Sequence, residues 1–276
     1  MEIGGSLLLV GCGKMGGALL GGWLERGVAP GSVTVVEPQA DLAAGFAERG
    51  VNAVTGPGAL PPEAAPEAAP AVVVLAVKPQ QMDAVLPDYA RFARPGTVFL
   101  SIAAGKNIGY FEGHLGTGAA IVRAMPNTPA AVGRGMSVLC ANARVSPAQR
   151  HTCGDLLAAV GEIAWVDDEA LLDPVTAVSG GGPAYVFLLI ECLAEAGAAA
   201  GLPEDLAMRL ARVTVAGAGE LVHRAEEPAG TLRENVTSPG GTTLEALKVL
   251  MAPDGLQALM TRAIAEATRR SRELAS

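Results

Sequence analysis

The sequence predicts an α/β fold, a Rossmann-type doubly wound sheet followed by an all-α domain. Up to about residue 165, short apolar strands alternate with helical segments. The strands are apolar throughout rather than at every second residue, which is typical of parallel sheets covered on both faces. Beyond that point the strand patterns stop and helical patterns continue to the end. The predicted domains are therefore residues 1–165 and residues 166–276.

The first domain is predicted from runs of aliphatic residues separated by helical patterns. The strands are Leu7–Val10, Val33–Val36, Val72–Val77, Thr97–Ile102, Ala120–Ala124 and Ser137–Ala141. The helices are Lys14–Arg26, Asp41–Arg49 and Ala148–Val160, the last with Ser146 as its N-cap. The Pro- and Ala-rich segment Gly56–Pro70 lies inside this alternation, so we interpret it as a surface loop rather than a linker between domains.

The second domain is predicted to consist of helices alone. They are Glu169–Val178, Pro183–Ala200, Glu204–Arg224, Thr231–Val236, Thr242–Met251 and Gly255–Leu274. A domain of this size has difficulty burying a sufficient core by itself. Its broad apolar faces indicate that it completes its core against a second subunit, so we expect a homodimer or a larger homo-oligomer.

Composition excludes several classes of partner. The net charge is −8 and no run of Lys and Arg forms a basic stripe, which argues against nucleic acid. The cysteines are scattered without C-x-x-C spacing, so we predict reduced, buried thiols in a cytoplasmic protein and no metal site. They are Cys12, Cys140, Cys153 and Cys192.

Two long apolar stretches raise the question of a membrane. Leu7–Leu24 is rich in glycine, contains Lys14 and lacks a basic segment before it, so it resembles neither a signal peptide nor a membrane span. Tyr185–Ala200 carries Glu191 and Glu195 one helical turn apart, which suits a buried helix of a soluble protein. We therefore predict no membrane association.

A glycine-rich run follows the first predicted strand and begins the first helix. Gly11-Cys12-Gly13-Lys14-Met15-Gly16 has the G-x-G-x-x-G spacing typical of dinucleotide binding. Gly11 would permit the tight turn, Gly13 the close approach of a pyrophosphate, and Gly16 the packing of helix against strand. The alternative is a glycine-rich helix start with no ligand. The strand before it and the helix after it favour a nicotinamide dinucleotide.

Glu37 ends the second predicted strand. An acidic residue there usually binds the ribose hydroxyls of the adenosine and repels a 2′-phosphate, which favours NADH over NADPH. No Arg or Lys lies in residues 38–44 to attract that phosphate. The alternative is a strand-end carboxylate that faces water.

Four further motifs identify a family. They are Lys78-Pro79, Ala124-Met125-Pro126-Asn127-Thr128-Pro129, Ser179-Gly180-Gly181-Gly182-Pro183-Ala184-Tyr185 and Val236-Thr237-Ser238-Pro239-Gly240-Gly241-Thr242-Thr243. Together with the glycine loop, this set closely resembles the pyrroline-5-carboxylate reductases. The resemblance covers essentially the whole chain, in order, and the Ser238–Thr243 stretch is its most specific part.

The resemblance implies NAD(P)H-dependent reduction of the cyclic imine 1-pyrroline-5-carboxylate to L-proline, the last step of proline biosynthesis. It also implies an active site between the two domains and a helical domain that interlocks with its partner in a dimer. The residues implied to contact NADH or NADPH are Val10, Gly11, Cys12, Gly13, Lys14, Met15, Gly16, Glu37, Ala76, Val77, Lys78, Pro79, Ile102, Ala103, Ala104 and Asn127. The residues implied to hold the substrate are Ser238, Gly241, Thr242 and Thr243.

The sequence departs from the family pattern at three places. The family commonly has a serine where Gly181 stands, and many members carry a small polar residue where Glu37 stands. The loop Gly56–Pro70 lacks a polar residue often found near the adenosine, and Gly58 is the nearest counterpart. The choice between NADH and NADPH is therefore open at this point.

The chemistry of the residues agrees with this substrate. Backbone N–H groups at the start of the helix after Ser238–Gly241 would attract a carboxylate, although the same turn could be an ordinary helix cap. Thr243 is the candidate catalytic residue, as a hydrogen-bond partner of the ring nitrogen, since no His or Cys motif offers a general acid. Lys78 could seat the nicotinamide or lie free at the surface. Asn127 could bind near the nicotinamide or satisfy the backbone of its turn.

Two other functions fit parts of the pattern. A β-hydroxyacid dehydrogenase would have a similar architecture but usually uses a lysine of its helical domain, and Lys248 is the only lysine after residue 106. A non-catalytic sensor of NAD(H) would not need a turn that binds a substrate, such as the one predicted at Ser238–Thr243. Both fit less well than an imine reductase.

Overall fold

The computed structural model describes residues 3–60 and 69–275. Part of the predicted loop Gly56–Pro70 therefore lies outside the described residues. The chain divides into two compact units, Met1–Gly180 with Ala267–Ser276, and Gly181–Glu266. The predicted α/β sheet followed by helices is confirmed.

The first unit is built on one sheet of eight strands in the part of the chain that the structure describes. The strands are β1 (Leu7–Val10), β2 (Val33–Val36), β3 (Asn52–Val54), β4 (Val72–Leu75), β5 (Val98–Ser101), β6 (Ala120–Met125), β7 (Gly135–Ala141) and β8 (Gly161–Trp165). Their order across the sheet is β3-β2-β1-β4-β5-β6-β7-β8. The strands β1 to β6 all run parallel, so their carboxyl ends meet at one edge.

The sheet departs from the predicted parallel arrangement at one pair, because β7 runs antiparallel to β6. A parallel connection needs a crossover of about a dozen residues or more, usually a helix. Residues 126–134 supply only a short 3₁₀ turn, Thr128–Val132, between these two strands. The chain therefore turns back at this point, and β8 then pairs parallel to β7.

The helices of the first unit cover both faces of the sheet. They are α1 (Lys14–Glu25), α2 (Ala40–Ala47), α3 (Met82–Val85), α4 (Ile108–Leu115), α5 (Pro147–Ala158) and α6 (Leu172–Val175). Ser146 is confirmed as the cap of α5, since its Oγ accepts the Gln149 N–H and the Gln149 side chain accepts the Ser146 N–H.

Alternate residues of each strand supply two apolar layers. Leu7 and Leu9 of β1 belong to one cluster of buried side chains, which also contains Trp23 of α1. Leu8 and Val10 belong to the other. Since every residue of β1 is buried on one face or the other, the strand must be apolar throughout.

The second unit contains helices only. They are α7 (Gly182–Ala199), α8 (Glu204–Arg224), α9 (Ala229–Asn235), α10 (Thr242–Leu250) and the first part of α11 (Leu256–Ala275). The segment predicted as one helix, Glu169–Val178, is instead a 3₁₀ turn, the short α6 and a π-helical turn, Thr176–Gly180. Among the residues that the structure describes, one helical stretch, Glu169–Ala199, is long and apolar enough to cross a membrane by length and composition, and a single such stretch is weak evidence.

The compact units do not coincide with the predicted boundary near Trp165. Residues 166–180 stay with the sheet, since the Glu169 carboxylate accepts the Ile108 N–H at 2.7 Å. The end of α11 also belongs to this unit, where Ser271 donates a hydrogen bond to Asp173 at 2.7 Å. Compactness is defined by contacts rather than by function, so the division into domains 1–165 and 166–276 stays a prediction.

Candidate active site

The loop between β1 and α1 adopts a conformation that only glycine permits at its first position. Gly11 has a φ angle of +84°, and its N–H donates to the Val36 carbonyl in β2 at 2.9 Å. A Cβ atom placed on Gly11 would lie 2.9 Å from Cγ1 of Val77 and 3.0 Å from the Ala76 carbonyl oxygen. The tight turn therefore packs directly against the end of β4.

The other two glycines of the motif have opposite surroundings. A Cβ on Gly16 would lie 2.5 Å from the Gly11 carbonyl oxygen, so α1 approaches the loop too closely for a side chain. A Cβ on Gly13 would meet nothing within 4 Å. Gly13 is the N-cap of α1 and its carbonyl accepts the Gly17 N–H at 2.7 Å.

The start of α1 fits a dinucleotide. The first N–H groups of a helix lack intrahelical partners, and they carry partial positive charge. The open space above Gly13 leaves room for a pyrophosphate beside these groups. Residues Gly11–Gly16 would hold it through their backbone.

Glu37 directly follows β2 and lies beside this loop. Its carboxylate is buried, with 5% of the residue exposed. Oε2 accepts the Cys12 N–H at 2.8 Å and Oε1 accepts the Gln39 N–H at 3.0 Å. A carboxylate that faces water, the alternative considered from the sequence, is wrong. The side chain is instead part of the loop, because two backbone donors offset the cost of burying its charge.

The Cys12 side chain points into the fold and is buried. The pKa of its thiol is raised to about 12, chiefly by burial and also by the negative charge of Glu37, whereas the positive charge of Arg49 lowers it. The thiol is therefore protonated and unreactive at neutral pH. This supports a structural role for Cys12 in the loop.

A cavity of about 110 Å³ lies beside the glycine loop at the carboxyl ends of the strands. Val10, Gly11 and Val77, three of the predicted residues, line it. Its lining also includes three side chains outside the predicted set, Thr55, Asp88 and Tyr89. Thr55 follows β3, a strand of only three residues. If that short strand had been predicted from the sequence, Thr55 would have been expected at the carboxyl edge of the sheet with the other cofactor residues.

The remaining predicted cofactor residues lie at the same edge of the sheet. Ala76–Pro79 follow β4, and the Ala76 N–H donates to the Val10 carbonyl at 2.8 Å. Ile102–Ala104 follow β5, where the Ala103 N–H donates to the Ser101 hydroxyl at 3.2 Å. Lys78 itself is exposed. Ligands of open parallel sheets bind at this edge, so the structure brings these segments to the expected place.

Asn127 follows β6 at this edge, but its side chain already has protein partners. Its Oδ1 accepts the Met136 N–H at 2.9 Å. Its Nδ2 donates to the carbonyl oxygen and the hydroxyl of Ser179, at 3.3 and 3.2 Å. These hydrogen bonds favour the interpretation that Asn127 organises its own surroundings.

The predicted substrate turn lies in the second unit. Gly240 has a φ angle of +69°, and the Gly241 N–H donates to the Ser238 carbonyl at 3.0 Å. Gly241 is the N-cap of α10, which begins at Thr242. Ser238, Thr242 and Thr243 are exposed. The turn therefore presents hydroxyl groups and the start of a helix on one short segment, as an anionic substrate requires.

Among the described residues, no cluster of three or more His, Cys, Asp or Glu could hold a metal ion. The prediction that all four cysteines are buried is wrong for Cys192, which is exposed on α7. Its neighbours on that helix include the apolar residues Leu188 and Leu189, also exposed.

Two family models match the chain. Residues 6–105 match a model described as NADP oxidoreductase, coenzyme F420-dependent. Residues 169–274 match a model described as pyrroline-5-carboxylate reductase dimerisation. The matches fall on the glycine loop and sheet, and on the helical part of the chain.

Several relatives are similar over nearly the full length. The pyrroline-5-carboxylate reductase of Pseudomonas aeruginosa is 42% identical over 98% of this chain and 96% of its own. That of Escherichia coli is 37% identical over 96% of both. A solved structure from Coxiella burnetii superposes with a TM-score of 0.89 at 35% identity, over 99% of both chains. One from Plasmodium falciparum, with NADP bound, gives 0.80 at 30% identity, also over 99% of both.

Proposed function

This chain belongs to the pyrroline-5-carboxylate reductase family, and on that premise we propose that it reduces 1-pyrroline-5-carboxylate to L-proline with NADH or NADPH. The full-length similarity to reductases carries the proposal. The glycine loop, with room for a pyrophosphate above Gly13, supports it independently. The test is oxidation of NADH or NADPH by the purified protein with this imine. Tight NADH binding without turnover would instead favour a sensor.

The reaction adds a hydride to the carbon of a ring C=N bond, and the nitrogen carries a proton that it brings as the protonated imine or takes from water. The reduced nicotinamide supplies the hydride when it is bound. The task of this chain is to hold the two reactants in contact, an effect of proximity and orientation. The substrate carboxylate would lie against the start of α10, where N–H groups and the hydroxyls of Ser238 and Thr242 are available.

Thr243 is the candidate for contact with the ring nitrogen. It lies in the first turn of α10 and is exposed, so its hydroxyl is free to meet a ligand. Thr243→Ala should lower kcat/KM by about 10- to 100-fold, the scale of one or two lost hydrogen bonds, with cofactor affinity unchanged. Thr237→Ala is the control, because that hydroxyl already donates to the Arg233 carbonyl at 2.6 Å. An equal loss in both variants would remove Thr243 from the mechanism.

We propose that the protein prefers NADH. The negative charge of Glu37 lies at the end of β2, held there by two backbone N–H groups, where it would repel a 2′-phosphate. The ratio of kcat/KM for NADH and NADPH measures this preference, and a higher value for NADPH would contradict it. Glu37→Gln should shift the ratio toward NADPH, because it removes the charge and keeps one of the two oxygens that accept backbone N–H groups.

The dimerisation family matched by residues 169–274 indicates an oligomer, and we propose a homodimer formed through the helical unit. The exposed apolar side chains of α7 and α8 support contact with a second copy rather than with lipid or nucleic acid.

We also propose a cytoplasmic location. The four cysteines of the protein are free, and the cofactor proposed for it is intracellular, which supports this location.

A further inference from the structure

The hydrogen bonds of Asn127 lead to a residue that has no role so far. The amide nitrogen reaches the hydroxyl of Ser179 at 3.2 Å and its carbonyl oxygen at 3.3 Å. The amide oxygen is occupied by the Met136 N–H at 2.9 Å. Asn127 therefore fixes Ser179 from the side of the sheet, and it has no need of a ligand to satisfy its own side chain.

Ser179 belongs to the π-helical turn Thr176–Gly180. Such turns are rare, and they occur frequently at functional sites. The next residue, Gly180, packs so closely that a Cβ there would lie 2.5 Å from Cε of Met125. Two contacts therefore hold this turn against the end of β6, one to Asn127 and one to Met125.

The sheet register shows what else lies near that end. Arg123 of β6 is paired with Ser101 of β5. The strand β5 ends at Ser101 and β6 ends at Met125, so the segments that follow these parallel neighbours leave the sheet at the same carboxyl edge. Ser179, held by Asn127 after β6, therefore lies at the edge where Ile102–Ala104 follow the neighbouring strand β5 and where the nicotinamide half of the cofactor is expected.

We propose that Ser179 donates a hydrogen bond to the carboxamide oxygen of the bound nicotinamide, and that Asn127 is a positioning residue acting through Ser179. The Ser179 hydroxyl oxygen accepts a hydrogen bond from Asn127 Nδ2, so its own O–H points in another direction. Within residues 3–60 and 69–275, no hydrogen-bond acceptor meets that O–H. This inference rests on the proposed function, because it requires a nicotinamide cofactor.

Binding of two ligands tests the contact directly. NADH carries the nicotinamide, whereas ADP-ribose carries the same pyrophosphate and adenosine without it. Ser179→Ala should weaken NADH binding by about threefold to tenfold, the loss of one hydrogen bond, and leave ADP-ribose binding unchanged. Ser179→Thr retains the hydroxyl and should restore NADH affinity.

Thr176→Val is the matched control in the same π-helical turn. Its hydroxyl already donates to the Leu172 carbonyl at 2.7 Å, so its loss should not separate the two ligands. Asn127→Asp keeps an acceptor for the Met136 N–H but removes the donor to Ser179. The Ser179 proton would then turn to the carboxylate, and NADH affinity alone should fall as in Ser179→Ala.

Unchanged ADP-ribose binding also shows that each variant is folded. Equal NADH affinity in Ser179→Ala and the unaltered protein would overturn the inference, as would an equal loss for both ligands. If the unaltered protein bound ADP-ribose but gained no affinity from the nicotinamide, the inference would also be wrong. If the unaltered protein bound neither NADH nor NADPH, the proposed function itself would be wrong, and this inference would be wrong for that reason.

Discussion

The two compact units differ in how much of their apolar surface one chain can bury. All four residues of β1 and all four of β4 are buried in the first unit. In the second, α7 buries only Ala194 of its eighteen residues, and α8 only Ala207 and Ala211 of its twenty-one. One close approach of α7 to α8 is made by small residues, since a Cβ on Gly197 would lie 3.3 Å from Cβ of Ala207.

This difference in burial distinguishes the unit that carries the glycine loop from the unit that carries the substrate turn. The first unit has a complete core within one chain and presents a preformed glycine loop at the edge of its sheet. The second unit leaves large apolar side chains in water, which is unfavourable by about 25 cal/mol for each Å² of apolar surface. Burial of that surface against a second copy would complete its core, so the substrate turn it carries should depend on assembly.

The largest expected effect comes from placing charge on the exposed apolar face of α8. Val213 and Leu221 are each 66% exposed in the single chain. The double substitution Val213→Glu with Leu221→Glu should raise the dissociation constant of the dimer by about a thousandfold or more, because burying an unpaired carboxylate costs several kcal/mol. Sedimentation velocity measures the resulting monomer, and turnover should fall with it.

The control for this prediction lies on the other unit. Leu42 is an apolar residue of α2 that is 40% exposed. Leu42→Glu should leave the dimer intact, since the core of the first unit needs no partner. A dimer that survived the double substitution, or one that dissociated with Leu42→Glu, would contradict the contrast between the units.

An intermediate effect is expected inside the first unit, where three glycines of α1 and its cap have different surroundings. Gly13→Ala should weaken NADH binding by about 10- to 100-fold with little change in Tm, because the new methyl group enters only the space kept for the pyrophosphate. Gly16→Ala should lower stability by about 1–3 kcal/mol, because its Cβ would overlap the Gly11 carbonyl oxygen.

Gly17→Ala is the matched control, since its Cβ would lie at an ordinary 3.6 Å from the Cys12 carbonyl oxygen. Calorimetric binding of NADH and thermal unfolding distinguish the three variants. A loss of Tm in Gly13→Ala as large as that in Gly16→Ala would show that the space above Gly13 is needed for folding rather than for a ligand.

The features that could be predicted from the sequence are those encoded by neighbouring residues. The run Gly11–Gly16 specifies a turn and a helix start within six residues, and Ser146 with Gln149 specifies a cap within four. Long helices such as α8 follow from their periodicity. Each of these signals depends little on the rest of the chain.

The features that could not be predicted depend on partners distant in sequence. The strand β3 has three residues and exists because it pairs with β2. The burial of Glu37 depends on the Cys12 N–H, 25 residues earlier. The contact of Asn127 with Ser179 spans 52 residues, and the π-helical turn at its far end has no recognised pattern in the sequence.

The smallest expected signal, the reactivity of two cysteines, sharpens the same contrast at single residues. Cys12 is buried and the pKa of its thiol is about 12, so it should stay protonated and unlabelled by a maleimide from pH 7 to pH 9, in monomer and dimer alike.

Cys192 is exposed beside Leu188 and Leu189 on α7. If that face meets a second copy, Cys192 should be protected in the native protein and labelled in the Val213→Glu, Leu221→Glu variant. Mass spectrometry after a short labelling pulse identifies the modified thiol. Equal labelling of Cys192 in both proteins would place the interface elsewhere on the helical unit, and labelling of Cys12 in the dissociated variant would show that the first unit also depends on its partner.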